Sequence, residues 1–251
     1  MANNATFFYT DTSKKNGITR RVSDMMRQLK KIFKTFLLFF IMFCVLVVGF
    51  FCVFGIITAK EKLSQRSLYE MASAIESQSN FVPYEELPET YRAAVIAAED
   101  KRFFQHCGID VIAIGRALLH DVMAGSYVEG GSTITQQLAK NQYLSQEKLL
   151  KRKIIEIFIA FEMERAFSKE EIFALYVNSI YFGSGYYGIA EASKGYYGKE
   201  VKDLTDEECI TLAGIPNAPS IYDLNQNPDL AEQRKQQIMR QMTNMEDLAF
   251  Q

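Results

Sequence analysis

The sequence predicts a mainly α-helical protein with one membrane-crossing helix ahead of a folded domain. Three observations carry that expectation. Residues 35–59 form a run of 25 without a charge. Beyond that run, apolar residues recur at helical spacing, as in Tyr91, Ala94, Val95 and Ala98. No long alternating strand pattern occurs, so helices must pack on helices.

The elements follow in order. Residues 1–34 carry eight basic side chains against Asp11 and Asp24, a segment charge of +6, so the remainder sums to −8. A basic head can mark a nucleic-acid binder, but the apolar run that follows points to a membrane instead. About 20 apolar residues cross a hydrocarbon core. Residues 35–59 exceed a signal-peptide core, with no small-residue cleavage site just after them. The basic flank places residues 1–34 in the cytoplasm as a tail, and the chain from Lys60 onward outside. A domain there has no ATP, so its substrate must arrive activated or its reaction must run downhill.

Residues 60–84 read as a charged, Ser- and Gln-rich stalk. A domain is expected over 85–235, with a C-terminal helix and tail over 236–251. Pro88 suits the first turn of a helix running to His106. Residues 109–125 form a more apolar helix, and 126–133 a glycine-containing loop. Helices are expected over 133–144 and from Ser145, read as an N-cap, to Phe167. Ser168 with Glu171 and Thr205 with Glu208 are capping boxes for two further helices, the first reaching Phe182. Residues 183–188 form a turn, 190–198 a short helix and 216–228 an extended loop. Residues 229–245 form an amphipathic helix. Cys44 and Cys52 lie in the span, and Cys107 and Cys209 alone make no disulfide framework. His106 and His120 lack the neighbouring spacing of a zinc site.

Three clusters carry chemistry. Glu99 extends an apolar side of its helix, where lost hydration raises a carboxyl toward acid–base use; paired to Arg92 or Arg102 it would be an ordinary helix-end residue. The segment from Glu129 to Gln137, with Lys140 beyond, offers glycines, hydroxyls and a helix start, suited to phosphate; a plain N-cap is the simpler alternative. Lys148, Lys151, Arg152 and Lys153 crowd ahead of an apolar run that contains Glu156. Arg152 and Glu156 share a helix face and would make an ion pair, yet a carboxylate inside an apolar stretch needs a partner or a task. Two carboxylates suit chemistry at an anomeric carbon, and cations suit a phosphate leaving group.

Five ordered segments then resemble the motifs of a known family: EDKRFFQHCG from Glu99, GGSTITQQLAKN from Gly130, RKIIE from Arg152, KEEIFALYVNSIYFG from Lys169 and ASKGYYGK from Ala192. The family is glycosyltransferase family 51, the peptidoglycan glycosyltransferases, found alone or as the first module of bifunctional penicillin-binding proteins. The likeness covers roughly residues 85–225. It implies a lysozyme-like helical lobe plus a small, membrane-dipping jaw lobe, for which the apolar 109–128 stretch fits. It implies that lipid II supplies the acceptor 4-hydroxyl, that the growing lipid-linked glycan strand is the donor, and that attack at MurNAc C1 inverts configuration and expels undecaprenyl pyrophosphate. By motif position, Glu99 is the general base and Glu156 the second carboxylate. Lys140, Arg152 and Lys148 neutralise pyrophosphate. Ser132, Thr135, Gln136 and Gln137 line the donor site. Asp100 and His106 hold the first motif's geometry, and Asn178 and Tyr181 are structural. A divalent cation such as Mg or Mn often assists in the family, moenomycin inhibits it, and cell-wall synthesis proteins are further partners. Three positions depart from common forms: Lys148 stands for a frequent Arg, Ile155 for a Lys, and Tyr197 for a Phe.

Ser145-Gln-Glu-Lys148 matches a transpeptidase nucleophile pattern, but no Lys-Thr-Gly accompanies it. The chain is therefore expected to be monofunctional or a piece of a bifunctional protein. A lytic muramidase would share the lobe and a glutamate without needing the 148–153 cations. An inactive scaffold is disfavoured by the presence of both glutamates.

Overall fold

A computed structural model describes residues 5–124, 131–144 and 149–249. The chain divides into two units, residues 1–54 and 55–251. The described residues of the first unit lie within helix α1 (Ala5–Gln65), which is continuous through the expected boundaries at 34/35 and 59/60. From Met25 its apolar side chains are almost all exposed, and by length and composition the helix suffices to cross a membrane.

The second unit is helical, with no strand among the described residues. An isolated antiparallel bridge joins Tyr181 and Tyr187. Its helices are α2 (Leu68–Glu76), α3 (Glu89–Glu99), α4 (Val111–Ala124), α5 (Ile134–Tyr143), α6 (Leu149–Ala166), α7 (Lys169–Val177), α8 (Ile189–Tyr197), α9 (Asp206–Gly214), α10 (Pro219–Tyr222) and α11 (Pro228–Ala249). Helix α3 packs on α9 and α11, while α5 packs on α6 and α7. Tyr91, Phe103, Ile134, Leu138, Phe173 and Tyr176 are fully buried between these layers.

The segment expected as a stalk is largely part of this unit. Leu68, Met71, Ala72 and Ile75 of α2 are buried, because an apolar helical stripe gains about 25 cal/mol for each Å² it covers. The expected 235/236 boundary falls inside α11, a single helix whose Ala231 and Ile238 are both buried.

Side-chain caps set several helix ends. Both expected boxes form, Ser168 with Glu171 and Thr205 with Glu208. Two unforeseen ones join Ser67 to Glu70 and Thr133 to Gln136. Such caps contribute about 1 kcal/mol each. Two expected helices stop early. Helix α3 ends at Glu99 instead of His106, since Asp100 turns out of the helix at φ −157° and ψ 79° to bond elsewhere. Helix α7 ends at Val177 instead of Phe182. Asn178 takes over there: its Nδ2 donates to the carbonyls of Val82 (2.8 Å) and Ala174 (2.9 Å), and its Oδ1 accepts from Val82 N–H (2.9 Å). Gly188 follows at φ +81°, where a Cβ would lie 2.6 Å from the Asn178 carbonyl oxygen. The expected extended loop over 216–228 contains α10. Ser145, Lys148 and Glu129 lie outside the described residues.

Candidate active site

Glu99 ends helix α3, and the residue after it fixes its setting. The Asp100 carboxylate is buried, with both oxygens 3.0 Å from His106 Nε2 and Oδ2 accepting the Ile134 N–H at 3.1 Å. That N–H belongs to the first turn of α5, where unpaired donors and the helix dipole favour an anion. Asp100 therefore ties the end of α3 to the start of α5, which brings Glu99 beside Gln137.

Gln137 Nε2 donates to Glu99 Oε2 at 2.7 Å, and Gln137 Oε1 accepts from the Tyr176 hydroxyl at 3.1 Å. The second bond fixes which end of the amide faces the carboxylate. Tyr176 is fully buried, and burial, with Glu99 nearby, pushes its pKa well above the usual value, so it remains a donor. The other Glu99 oxygen, Oε1, is buried and makes no hydrogen bond of ordinary geometry, although the Asn217 side chain lies close enough to the carboxyl to act on it. Burial raises the Glu99 pKa above the ordinary glutamate value; the Gln137 amide, the Arg234 charge, the Asn217 amide and the Lys140 charge each pull it back. The result is a carboxyl of raised basicity with one oxygen free of any ordinary hydrogen bond, as a general base requires. Tyr176→Phe should loosen the Gln137 amide and lower kcat about tenfold, roughly 1.4 kcal/mol of barrier, with a smaller change in KM. Initial rates of this variant equal to wild type would remove Tyr176 from the relay.

Glu99 lines a cavity of about 450 Å³. One side is built by Ser132, Thr133, Gln137 and Lys140, at and after the start of α5, and another by Asn217 with Arg234 and Gln241 of α11. Arg102, bonded through both Nε and Nη2 to Asp110, and Arg116 of α4 complete a cationic lining. Near the start of α4, Phe104, Val111 and Ile112 expose apolar side chains.

Glu156 of α6 is 3% exposed and stands one residue behind this lining. Its Oε1 is 2.5 Å from Lys153 Nζ, which also donates to Ser132 Oγ at 2.7 Å. Since Ser132 lines the cavity, a chain of two hydrogen bonds connects the second glutamate to the space that Glu99 faces.

Of the expected site residues, Glu99, Ser132, Gln137 and Lys140 meet at this cavity. Thr135 and Gln136 do not line it. Thr135 Oγ1 donates to Glu164 Oε1 at 2.5 Å, and that oxygen is 2.7 Å from Lys169 Nζ. Gln136 Oε1 accepts the Thr133 N–H at 3.0 Å in the capping box. Helical periodicity explains the split: 133, 137 and 140 share one face of α5, whereas 135 and 136 turn away. Arg152 is half-buried on α6 and is not among the lining residues; Glu156 pairs with Lys153. Lys148 lies outside the described residues. Lys153 was expected only as one member of the 148–153 cationic cluster; Asn217, Arg234 and Gln241 were not anticipated. The spacing of 234 and 241, two turns apart on one helix, is the signal that marks a shared face.

Among the described residues no group of three or more His, Cys, Asp or Glu side chains converges, and Lys153 Nζ pairs with one Glu156 oxygen, Oε1.

The transglycosylase family profile matches residues 65–243. The chain is 46% identical to penicillin-binding protein 1F of Bacillus subtilis over 189 residues, 75% of this chain and 26% of that protein. It is 40% identical to penicillin-binding protein 1A of Neisseria gonorrhoeae over 230 residues, 85% of this chain and 29% of that protein. It is 47% identical to penicillin-binding protein 1A of Neisseria lactamica over 167 residues, 66% of this chain and 21% of that protein. The chain thus spans under a third of the length of these curated relatives. A cavity walled by the first two motif segments, with the third behind it and the family match running across all five, leads to one assignment: the chain belongs to the peptidoglycan glycosyltransferases of family 51.

Proposed function

We propose that the chain polymerises lipid II into glycan strands at the outer face of a membrane, anchored by α1 with its N-terminus in the cytoplasm. The single observation that carries this reading is Glu99: a buried carboxylate oxygen free of any ordinary hydrogen bond, on a cationic cavity, oriented through Gln137 by Tyr176. In the proposed reaction, the acceptor 4-hydroxyl gives its proton to Glu99 Oε1. The hydroxyl oxygen forms a bond to MurNAc C1 of the lipid-linked strand as the C1–oxygen bond to pyrophosphate breaks. Inversion follows from attack on the face opposite the leaving group. Undecaprenyl pyrophosphate departs with the electron pair, and Lys140 and Lys153 offset its charge.

Glu156 holds Lys153, which in turn donates to Ser132 of the cavity lining. The +6 segment at residues 1–34 supports the orientation, and the exposed Phe104, Val111 and Ile112 suit a substrate presented from a lipid surface. Incubation of the full chain in detergent with purified lipid II tests the reading. Growth of polymeric glycan with release of undecaprenyl pyrophosphate is expected; cleavage of finished glycan without growth would make the protein a hydrolase instead.

A further inference from the structure

A second cavity, of about 600 Å³, lies between α2, the end of α5, the end of α7 and the start of α8. It shares no lining residue with the cavity that Glu99 faces. Gln142 lines it from α5, two residues beyond Lys140 and so about 200° further round that helix. Its walls are tied together. The buried Asn178 joins the chain after α2 to the end of α7 through its bonds to Val82 and Ala174. The Tyr143 hydroxyl donates to the Ser67 carbonyl at 3.0 Å, and Arg66 Nη1 donates to Gln142 Oε1 at 3.4 Å, so the chain entering α2 is joined to the end of α5.

An aromatic platform borders this groove. Tyr187, 59% exposed, lines it and stacks on the exposed Tyr181, with ring centroids 4.9 Å apart and planes at 40°. The bridge between the two residues holds the rings in place, as do the bonds from Tyr187 N–H to Glu191 Oε2 (2.9 Å) and from Gly185 N–H to the Tyr181 hydroxyl (3.2 Å). An exposed aromatic face fixed in this way is suited to a ligand with one apolar face and a polar rim. The rest of the lining is mostly polar. The Gln142 Nε2 group and the side-chain amides of Gln78 and Asn80 make no hydrogen bond among the described residues, and each amide side chain carries both a donor and an acceptor group. Arg66 and Glu191 offset one another, so the groove favours neither an anion nor a cation.

We propose that this groove is a second, non-catalytic saccharide site, which takes an uncharged glycan segment bearing acetamido groups. The C–H face of a pyranose ring lies on Tyr187, and its hydroxyl and acetamido rim meets Gln78, Asn80 and Gln142. A volume of about 600 Å³ falls inside the range of about 300–1,000 Å³ usual for small-ligand sites. The saccharide chemistry follows from the groove alone; its identity as peptidoglycan glycan rests on the polymerase reading. Two sources share that chemistry, the strand under synthesis and glycan already in the wall.

The test uses the full chain in detergent micelles and chitohexaose, a soluble β-1,4 oligomer of N-acetylglucosamine with neither lipid nor pyrophosphate. Isothermal titration should show binding to wild type and about tenfold weaker binding for Tyr187→Ala and Gln142→Leu. Tyr187→Phe, which keeps the ring, and Lys140→Met, which alters only the other cavity, should bind as wild type does. Helical circular dichroism checks that each variant is folded, and Tyr187→Ala should keep the wild-type initial rate on lipid II. Cellopentaose, which has hydroxyls in place of acetamido groups, should bind more weakly. Shorter products from Tyr187→Ala would assign the groove to the growing strand; unchanged products with lower retention on insoluble peptidoglycan would assign it to existing wall. Neither change, equal binding of cellopentaose, full-strength binding by folded Tyr187→Ala, or no binding by wild type at millimolar chitohexaose overturns the proposal. So does binding that falls with Lys140→Met and not with Tyr187→Ala, which would put the oligomer in the other cavity. Chitohexaose binding that depends on Tyr187 in a protein unable to polymerise lipid II would leave the saccharide site standing and overturn the polymerase reading.

Discussion

Replacing Glu99 by Gln is expected to abolish polymerisation and to raise the melting temperature at neutral pH. The two effects have one cause. Burial pushes the Glu99 carboxyl above its ordinary pKa, so the folded protein binds the proton more tightly than the unfolded chain does. The sign of the linkage follows: the group stabilises the fold fully below its unfolded pKa, near 4.3–4.5, and that stability is lost as pH rises through the raised folded value. Once ionised, the buried side chain is a cost that function imposes. Glutamine keeps the shape, and its oxygen still accepts the Gln137 Nε2 bond, so about 1 kcal/mol should return, a rise of about 2–4 °C. Loss of the general base should lower kcat by about 10²–10⁴-fold. In wild type, the acidic limb of the kcat profile should lie above the usual glutamate range and vanish from the residual rate of the variant. A fully active Glu99→Gln would overturn the role of Glu99. A melting temperature that falls at pH 7 would show that the carboxylate contributes net stability.

Much of this arrangement was legible from local signals. The Ser168–Glu171 and Thr205–Glu208 boxes need only residues three apart, and both form. Glu99 was readable because an acidic residue continued an apolar stripe. The departures arise where bonds are made across the fold. Nothing near Asp100 announces that its carboxylate will cap α5 thirty-four residues later, so α3 was expected to run on. Thr135 and Gln136 sit in a hydroxyl- and amide-rich segment that looks uniform in sequence; only the phase of α5 decides that Gln137 faces the cavity while Gln136 caps the helix. Arg152 looked the natural partner of Glu156 by its i,i+4 spacing, but Lys153, one residue on, reaches both Glu156 and Ser132. Arg234 and Gln241 resemble the polar face of any surface helix. Gly214 leaves the room that Arg234 takes, and α11 packs on α3, more than a hundred residues earlier in the chain.

The Lys153–Glu156 pair should respond very unequally to removal of its two members. Glu156 is almost entirely buried, whereas the Lys153 side chain is 41% exposed. Lys153→Met leaves a carboxylate inside the domain without its cation, and breaking a buried pair in this way costs about 3–5 kcal/mol. The exposure of Lys153 reduces what the pair contributes through solvent screening, so about 2–3 kcal/mol is expected, or about 5–10 °C in melting temperature. Glu156→Gln leaves a lysine that keeps its bond to Ser132 and can reach water, so it should cost under about 1 kcal/mol. Lys153→Met combined with Glu156→Gln should recover most of the stability lost in Lys153→Met, because the buried charge is gone. Polymerisation should not recover with it, since the cation proposed to offset the leaving pyrophosphate is still missing. Thermal melts and lipid II turnover on the three variants separate the two roles. Full activity in the stable double variant would reduce the third motif's lysine and glutamate to an architectural pair. Equal destabilisation by the two single variants would mean that the lysine is no less buried than the carboxylate, and that the chain from Ser132 through Lys153 to Glu156 is held by packing instead of charge.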